Sequence, residues 1–515
     1  MDCSASKKPV LWLVLIMFLL LFTFLSGFVC YAEENSVKIG LFYSNSARDE
    51  YGLASDENLI VGNKDEVYYD LGKKSVTVKY DNLWHIEYYT VSSLQEASFE
   101  IEKLKTQGLD AFLAIKGNEI KVYGGSFENE NDCLWAAQNL AVQGTVVAPE
   151  SGNLGAFADN KLMVLGSGIT IGSLEEKVDL TAVATKEYRG KMMFLPYEGK
   201  INAINVVERE EYLYSVISRE MSPSWHIEAL KAQAVCARNY VENNRGKHGK
   251  YGFDLCDSVC CQAYAGTSSE TKDSYPPVDE TKDELLMFDG EVAQTFYSSS
   301  MGPTTEDVRY VWGSKFPYLT SVENPYEDYE NVYNGKWEKS LTKERATEIM
   351  NSKGYSIGDV VEIKALEFSP SGRVIKLLVK GTKGEKTFER ESCRLIFSEI
   401  TLSQFYTISG GGAIVYPSLD LKSDDDVAEK ETSKITVLTK DGKKSMANDV
   451  TVLGSGGKKK IYKAIKSGDA YVFSGYGWGH GIGMSQFGAK CMAEEGFSYE
   501  EILTHYFKGT EIEKQ

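Results

Sequence analysis

Four side chains suited to metal binding, His248, Cys256, Cys260 and Cys261, fall within 14 positions of this 515-residue chain. Thiolates with one imidazole are the donor set of a tetrahedral zinc site. The competing chemistry is a disulfide, Cys256 with Cys261, in an oxidising compartment; bridging the neighbours Cys260 and Cys261 would be strained. A metal held by this set would clamp the loop that carries it. Glu220 stands immediately before Met221, Ser222, Pro223, Ser224 and Trp225. On its own it reads as a capping or ion-paired glutamate. Ser298, Ser299, Ser300, Gly302 and Thr304 offer hydroxyls and close backbone approach, which suit the hydroxyls of a sugar ring. Four glycines surround His480 in the 477–483 loop, and Ser485 can cap the final helix. That loop reads either as a binding loop or as a tight structural turn. His85, His226 and His505 read as structural.

The elements that must position these residues change in rhythm along the chain. Residues 36–80 read as short strands (36–43, 67–71 and 75–80) separated by Gly, Asn and Asp turns. Then 85–91 is a strand pattern and 94–107 a helical one, with Ala97, Ile101 and Leu104 on one face. Strands at 111–115 and 120–123, a helix at 129–142 and a strand at 145–148 complete β-α-β, β-α-β, the ferredoxin-like arrangement. Strand character returns over 160–215 and leads into a helix from about 223 to 244. Ser222 is its expected N-cap and Pro223 lies in its first turn, with Ile227, Leu230, Ala234 and Val241 along one face. A stretch from about 413 to 460, rich in Lys, Asp, Gly and Ser, reads as a solvated insertion. The fold class expected is α+β.

Composition narrows the compartment and the partners. The net charge is −18, with a pI near 5.0, which argues against a duplex nucleic-acid binder. A hydrophobic fraction of 43% with 12% aromatics excludes wholesale disorder. Lys7 and Lys8 precede an almost unbroken apolar run over 9–32, longer than a signal h-region and long enough to span a bilayer. Residues 1–32 therefore read as a single transmembrane anchor with all that follows facing outward, or as a leader cleaved after Ala32.

Two resemblances give these residues a context. The stretch Val122, Tyr123, Gly124, Gly125, Ser126 and Phe127, leading into a helix, resembles the second half of a sporulation-related repeat (SPOR) domain, a module that binds peptide-free glycan. A β-rich segment over 33–81 would precede this SPOR-like module at 82–150. From about 160 to 515 the chain resembles stage II sporulation protein D and the related amidase-enhancer proteins. The blocks that carry the likeness begin with Tyr188-Arg189-Gly190, then Glu220-Met221 with the helix after it. Tyr297-Ser298-Ser299-Ser300 with Thr304-Thr305-Glu306 follows, then Val311-Trp312-Gly313, the loop from Gly477 to Gln486, and the tail from Tyr499 to Thr510.

That second resemblance implies a mixed α+β catalytic domain and a lytic transglycosylase cutting peptidoglycan glycan strands after a cell-wall amidase has stripped their peptides, as in spore engulfment. It implies Glu220 as the essential acid, and it makes Tyr297, Ser298, Ser299, Ser300, Thr304, His480, Ser485 and Gln486 candidates for glycan binding. It also places zinc at the His248, Cys256, Cys260 and Cys261 cluster, with a Cys-Cys pair where a His-Cys pair is expected. The rival is a non-catalytic, peptidoglycan-binding enhancer of the amidase. An ordinary hydrolase is a third reading, distinguished by releasing reducing ends.

Overall fold

The structure is a computed structural model. It describes residues 35–515 except 64–66, 141, 182–183 and parts of 412–469, where only paired backbone strands are described. The expected anchor at 9–32 lies outside the described residues, as do the side chains of the insertion. Among the described residues no helix is long and apolar enough to cross a membrane. The chain divides into two compact units, Met1–Ser224 with Ala237–Glu284, and Trp225–Cys236 with Leu285–Gln515.

The first unit is built on two sheets. A seven-stranded sheet runs in the order Leu255–Cys256, Ser36–Phe42, Lys200–Glu208, Lys191–Tyr197, Ile169–Ser173, Leu59–Asn63, Val67–Asp70. Ser36–Phe42 and Lys200–Glu208 pair antiparallel and are buried along most of their length, so both read as apolar runs rather than alternating ones. The second sheet has ten strands. It contains Trp84–Val91, Ala111–Lys116, Glu119–Phe127 and Thr145–Val147, paired antiparallel with the first strand between the third and fourth. That is the split β-α-β order read from the sequence. Its Ala111–Lys116 edge continues by parallel pairing into Lys161–Gly166, so these strands form part of a larger sheet. Ala97, Ile101 and Leu104 are all buried along the helix Leu94–Thr106, as its spacing predicts.

One helix departs from expectation. It spans Ile227–Asn243, not 223–244, and Ser222 does not cap it. The Ser222 hydroxyl pairs with Ser224, while His226 Nδ1 accepts the Glu228 N–H at 3.3 Å. Ile227, expected on the apolar face, is 36% exposed, and residues 232–239 are buried on every side. A helix enclosed this completely has no single apolar stripe for a sequence pattern to find.

The second unit carries a core of Trp337, Met350, Phe397, Tyr406 and Phe473 with the aliphatic residues around them. Apart from Phe397, which follows the short helix Ser392–Leu395, these come mainly from the strands Lys336–Thr342, Ala470–Tyr476 and Tyr406–Gly410, the helix Lys343–Ser352 and the meander Val360–Phe368, Val374–Gly381, Gly384–Glu389. Ser485 accepts the Gly488 N–H and caps Gln486–Glu494. This is not the final helix, because Tyr499–Tyr506 follows with its own Ser498–Glu501 capping box.

Candidate functional site

In the first unit, the strand Lys200–Glu208 runs directly into the helix Arg209–Glu220. Tyr212, Leu213, Val216 and Ile217 are fully buried on that helix and fix its axis, which fixes the position of its last residue, Glu220. Glu220 is half-buried, and its Oε1 accepts the Ala263 N–H at 3.0 Å, across 43 residues of sequence. The sequence suggested that a helix N-terminus adjoins this carboxylate. Glu220 instead ends its own helix, so the nearest backbone dipole carries partial negative charge.

The segment that meets Glu220 is stitched to the same helix. Tyr212 donates to Gln262 Oε1 at 3.2 Å, and the Ala265 N–H donates to Ser215 Oγ at 3.1 Å. Two residues before Ala263 is Cys261. The cluster foreseen from sequence is assembled: one donor atom each from His248, Cys256, Cys260 and Cys261 lies within 4.8 Å of every other. Cys256 is placed by its strand, which pairs parallel with Ile39 and Gly40. A side chain at Gly40 would put its Cβ 2.3 Å from the Phe253 ring, and Phe253 in turn stacks on His248 at 5.2 Å. His248 Nε2 is 3.3 Å from Cys261 Sγ. A hydrogen bond from Cys261 holds the Cys256 thiol down to about 4, against the opposing effect of burial, while the same contact pushes Cys261 up. One thiolate is thus favoured inside the cluster. A disulfide between Cys256 and Cys261 would leave His248 and Cys260 converging for no purpose. The donor set and its spread fit a metal ion.

The second unit gathers the hydroxyl and glycine loops. Tyr297–Ser298 pairs parallel with Met484–Ser485, and Ser300 exchanges backbone hydrogen bonds with Trp478. The side chains are mostly turned to internal use. Ser300 Oγ donates to Glu327 Oε1, Ser485 Oγ donates to Glu327 Oε2 at 2.6 Å, and the Met301 N–H adds a bond of 3.2 Å. Burial raises the Glu327 carboxyl despite these donors. Gln486 is buried and bonds Gln233 at 3.3 Å. Thr304 contributes its carbonyl and hydroxyl to Arg373. Ser298 is buried with no partner for its hydroxyl, whereas Ser299 and Tyr297 are half-buried.

Sequence reasoning missed the two groups that organise these loops, Glu327 and Arg373. Arg373 is enclosed, and burial pulls it down to about 10. It donates to the carbonyls of Met301, Thr304 and Thr305, and it lies against Gly481, where a Cβ would sit 2.9 Å from its Nε. Glu327 falls in an acid-rich stretch, 323–330, and no local signal separates it from its neighbours.

His480 packs on Trp312 at 5.0 Å and accepts the Ile482 N–H on Nδ1 at 3.0 Å. Burial, then the Arg394 charge, depress its pKa to about 4, so it is neutral at pH 7. The unfolded chain takes up this proton near the ordinary histidine value of about 6.5. The His480 contribution to stability is therefore full above that pH and declines as pH falls toward 4. His480→Asn, which keeps an acceptor for Ile482, should flatten the fall in Tm between pH 6.5 and 4.5. A slope equal to wild type would remove His480 from that account.

Residues 197–288 match the family model described as a stage II sporulation protein, and residues 310–413 match a domain of unknown function. The chain is 26% identical over 400 residues to an uncharacterized protein of Brachyspira hyodysenteriae, covering 77% of this chain and 88% of that one. It is 30% identical over 305 residues to the amidase enhancer of Bacillus subtilis, covering 58% of this chain but only 40% of that protein. It is 26% identical over 332 residues to stage II sporulation protein D of Bacillus subtilis, covering 61% and 77%.

Proposed function

Because this chain carries a stage II sporulation protein domain, we propose that it is a peptidoglycan lytic transglycosylase acting on peptide-stripped glycan, with Glu220 as its acid and base. The observation that carries the reading is the placement of Glu220. It is a half-buried carboxyl at the end of a rigid helix, held by a backbone N–H from the segment that carries the thiol cluster. Most glycosidases need two carboxyl groups because water must be activated separately. A transglycosylase does not, because the C6 hydroxyl of the muramic residue attacks its own anomeric carbon. Glu220 gives its proton to the glycosidic oxygen as that bond breaks. Its carboxylate then takes the proton of the C6 hydroxyl as the 1,6-anhydro ring closes. The Ala263 N–H fixes one carboxyl oxygen throughout.

His248, Cys256, Cys260 and Cys261 would hold a zinc ion whose contribution is a crosslink of the loop leading to Ala263. A cell-wall amidase that removes the peptides is the partner this substrate requires. Residues 82–150 would be the SPOR-like, glycan-binding module that the Tyr123–Phe127 resemblance implies, and the β-α-β order over 84–147 fits that fold. Residues 9–32 anchor the chain in the membrane, with the remainder outside. After carbonate extraction the native protein should stay with the membrane, its N-terminus intact; a soluble species beginning at Glu33 overturns the anchor.

The amidase-enhancer relative favours a second reading, in which the chain binds glycan and stimulates the amidase without cutting. Mass spectrometry of peptide-free glycan incubated with the protein separates the two, since only the first yields anhydro ends. Reducing ends in their place would mark an ordinary hydrolase.

A further inference from the structure

Tyr333 is 72% exposed and Trp478 is 41% exposed; among the described residues Trp135 and Phe99, at 70% and 67%, are also open, but they are not paired with a second exposed ring. The Tyr333 and Trp478 rings stand 5.7 Å apart at 71°, forming an open corner. Neither is a loose surface side chain. Trp478 is held through its backbone by Ser300, with N–H to carbonyl at 2.7 Å, between Gly477 and Gly479, whose φ values of +80° and +128° few other residues adopt. Tyr333 lies in a turn closed by Asn331, Val332 and Gly335 N–H bonds, and Gly335 also accepts the Gly477 N–H at 2.7 Å. Beneath, Glu327 at the start of that turn binds Ser300, whose backbone exchanges hydrogen bonds with Trp478, and Ser485, which follows the 477–483 loop. The buried Glu327 thus ties the Tyr333 turn to the Trp478 loop through Ser300 and Ser485.

We propose that Tyr333 and Trp478 form a preformed stacking platform for a pyranose ring of the glycan. The proposal rests on the reading that this chain acts on peptidoglycan, and it adds a substrate contact borne by the second unit. Sugar rings present an apolar C–H face edged by hydroxyls. The corner presents apolar ring faces, and the segment that carries Tyr333 also holds exposed polar groups, Asp328 with Asn331 and the Lys336–Glu330 ion pair, 2.7 Å apart. Two rings are far too small for a stable protein interface, which buries upwards of about 1,200 Å². Rigid aromatic groups bind at low entropic cost, and a platform built before the ligand arrives spends nothing on ordering.

The test uses the full chain and peptide-free glycan strands as the probe, measuring half-saturation in a sedimentation assay alongside anhydro product. Tyr333→Ala should weaken binding about three- to tenfold, the range expected for losing one stacked ring. Tyr333→Phe should bind like wild type, because the ring and not the hydroxyl makes the contact. Wild-type affinity in Tyr333→Ala overturns the platform and leaves the catalytic reading intact. Binding that depends on Tyr333 without anhydro ends from wild type overturns the catalytic reading and leaves the platform. Loss of amidase stimulation in Tyr333→Ala with glycan affinity unchanged would make the corner a protein contact and overturn the proposal.

Discussion

Glu220→Gln should give a folded protein that binds peptide-free glycan and releases almost no 1,6-anhydromuramic ends. The amide keeps the shape of the side chain, and its oxygen still accepts the Ala263 N–H, so the helix end and the 261–265 segment should stay in place. What is lost is the transferable proton. General acid–base catalysis is typically worth about 10²–10⁴-fold, and in the proposed mechanism one group serves both bond cleavage and ring closure, so the loss should reach or exceed the upper figure. The readout is product mass and rate, with glycan sedimentation as the control for binding. Anhydro ends from the variant at the wild-type rate would mean that the acid lies elsewhere. No product from wild type under any condition would favour the enhancer reading instead.

The substitution also tests why the carboxyl sits where it does. Its Oε1 is tied to the Ala263 N–H, and the amide keeps that acceptor, so the variant separates loss of the proton from loss of the anchor.

Local pattern carried a good part of this architecture. The helix Leu94–Thr106 and the strand Ser75–Tyr80 follow their periodicities, and the alternation of strands and helices over 84–147 foretells the split β-α-β order. The four metal-type ligands were legible because they are near one another in sequence and few other chemistries use them. The partners of the serines were not. Ser300 and Ser485 looked like groups for sugar hydroxyls, yet both bind Glu327, a carboxylate whose burial is decided by residues 27 and 158 positions away. Ala263 was invisible for the same reason: a backbone N–H has no sequence signature. The start of the helix at Ile227 was misjudged because Ser222 and Pro223 are good start signals in isolation, but Ser222 spends its hydroxyl on Ser224.

The remaining large effect concerns the thiol cluster. Cys256→Ser should reduce bound zinc from about one ion per chain to nearly none and lower Tm in the same sample. Metal affinity is folding energy wherever the unfolded chain lacks the site, worth up to about 10–16 kcal/mol in peptides that have no other core. Here the strand Leu255–Cys256 is already seated on the sheet by Ile39 and Gly40, so the fall in Tm should be several degrees rather than unfolding. The effect should nonetheless reach catalysis, because Cys261 is two residues from the N–H that holds Glu220. Anhydro product should therefore decline in Cys256→Ser, with glycan binding less affected. Acid should release the metal as thiolates and imidazole take up protons. The disulfide alternative predicts the opposite pattern of sensitivities. If Cys256 and Cys261 are bridged, a reductant lowers Tm, a chelator does not, and the purified wild type contains no metal. If the four residues hold zinc, the chelator lowers Tm and the reductant leaves it unchanged.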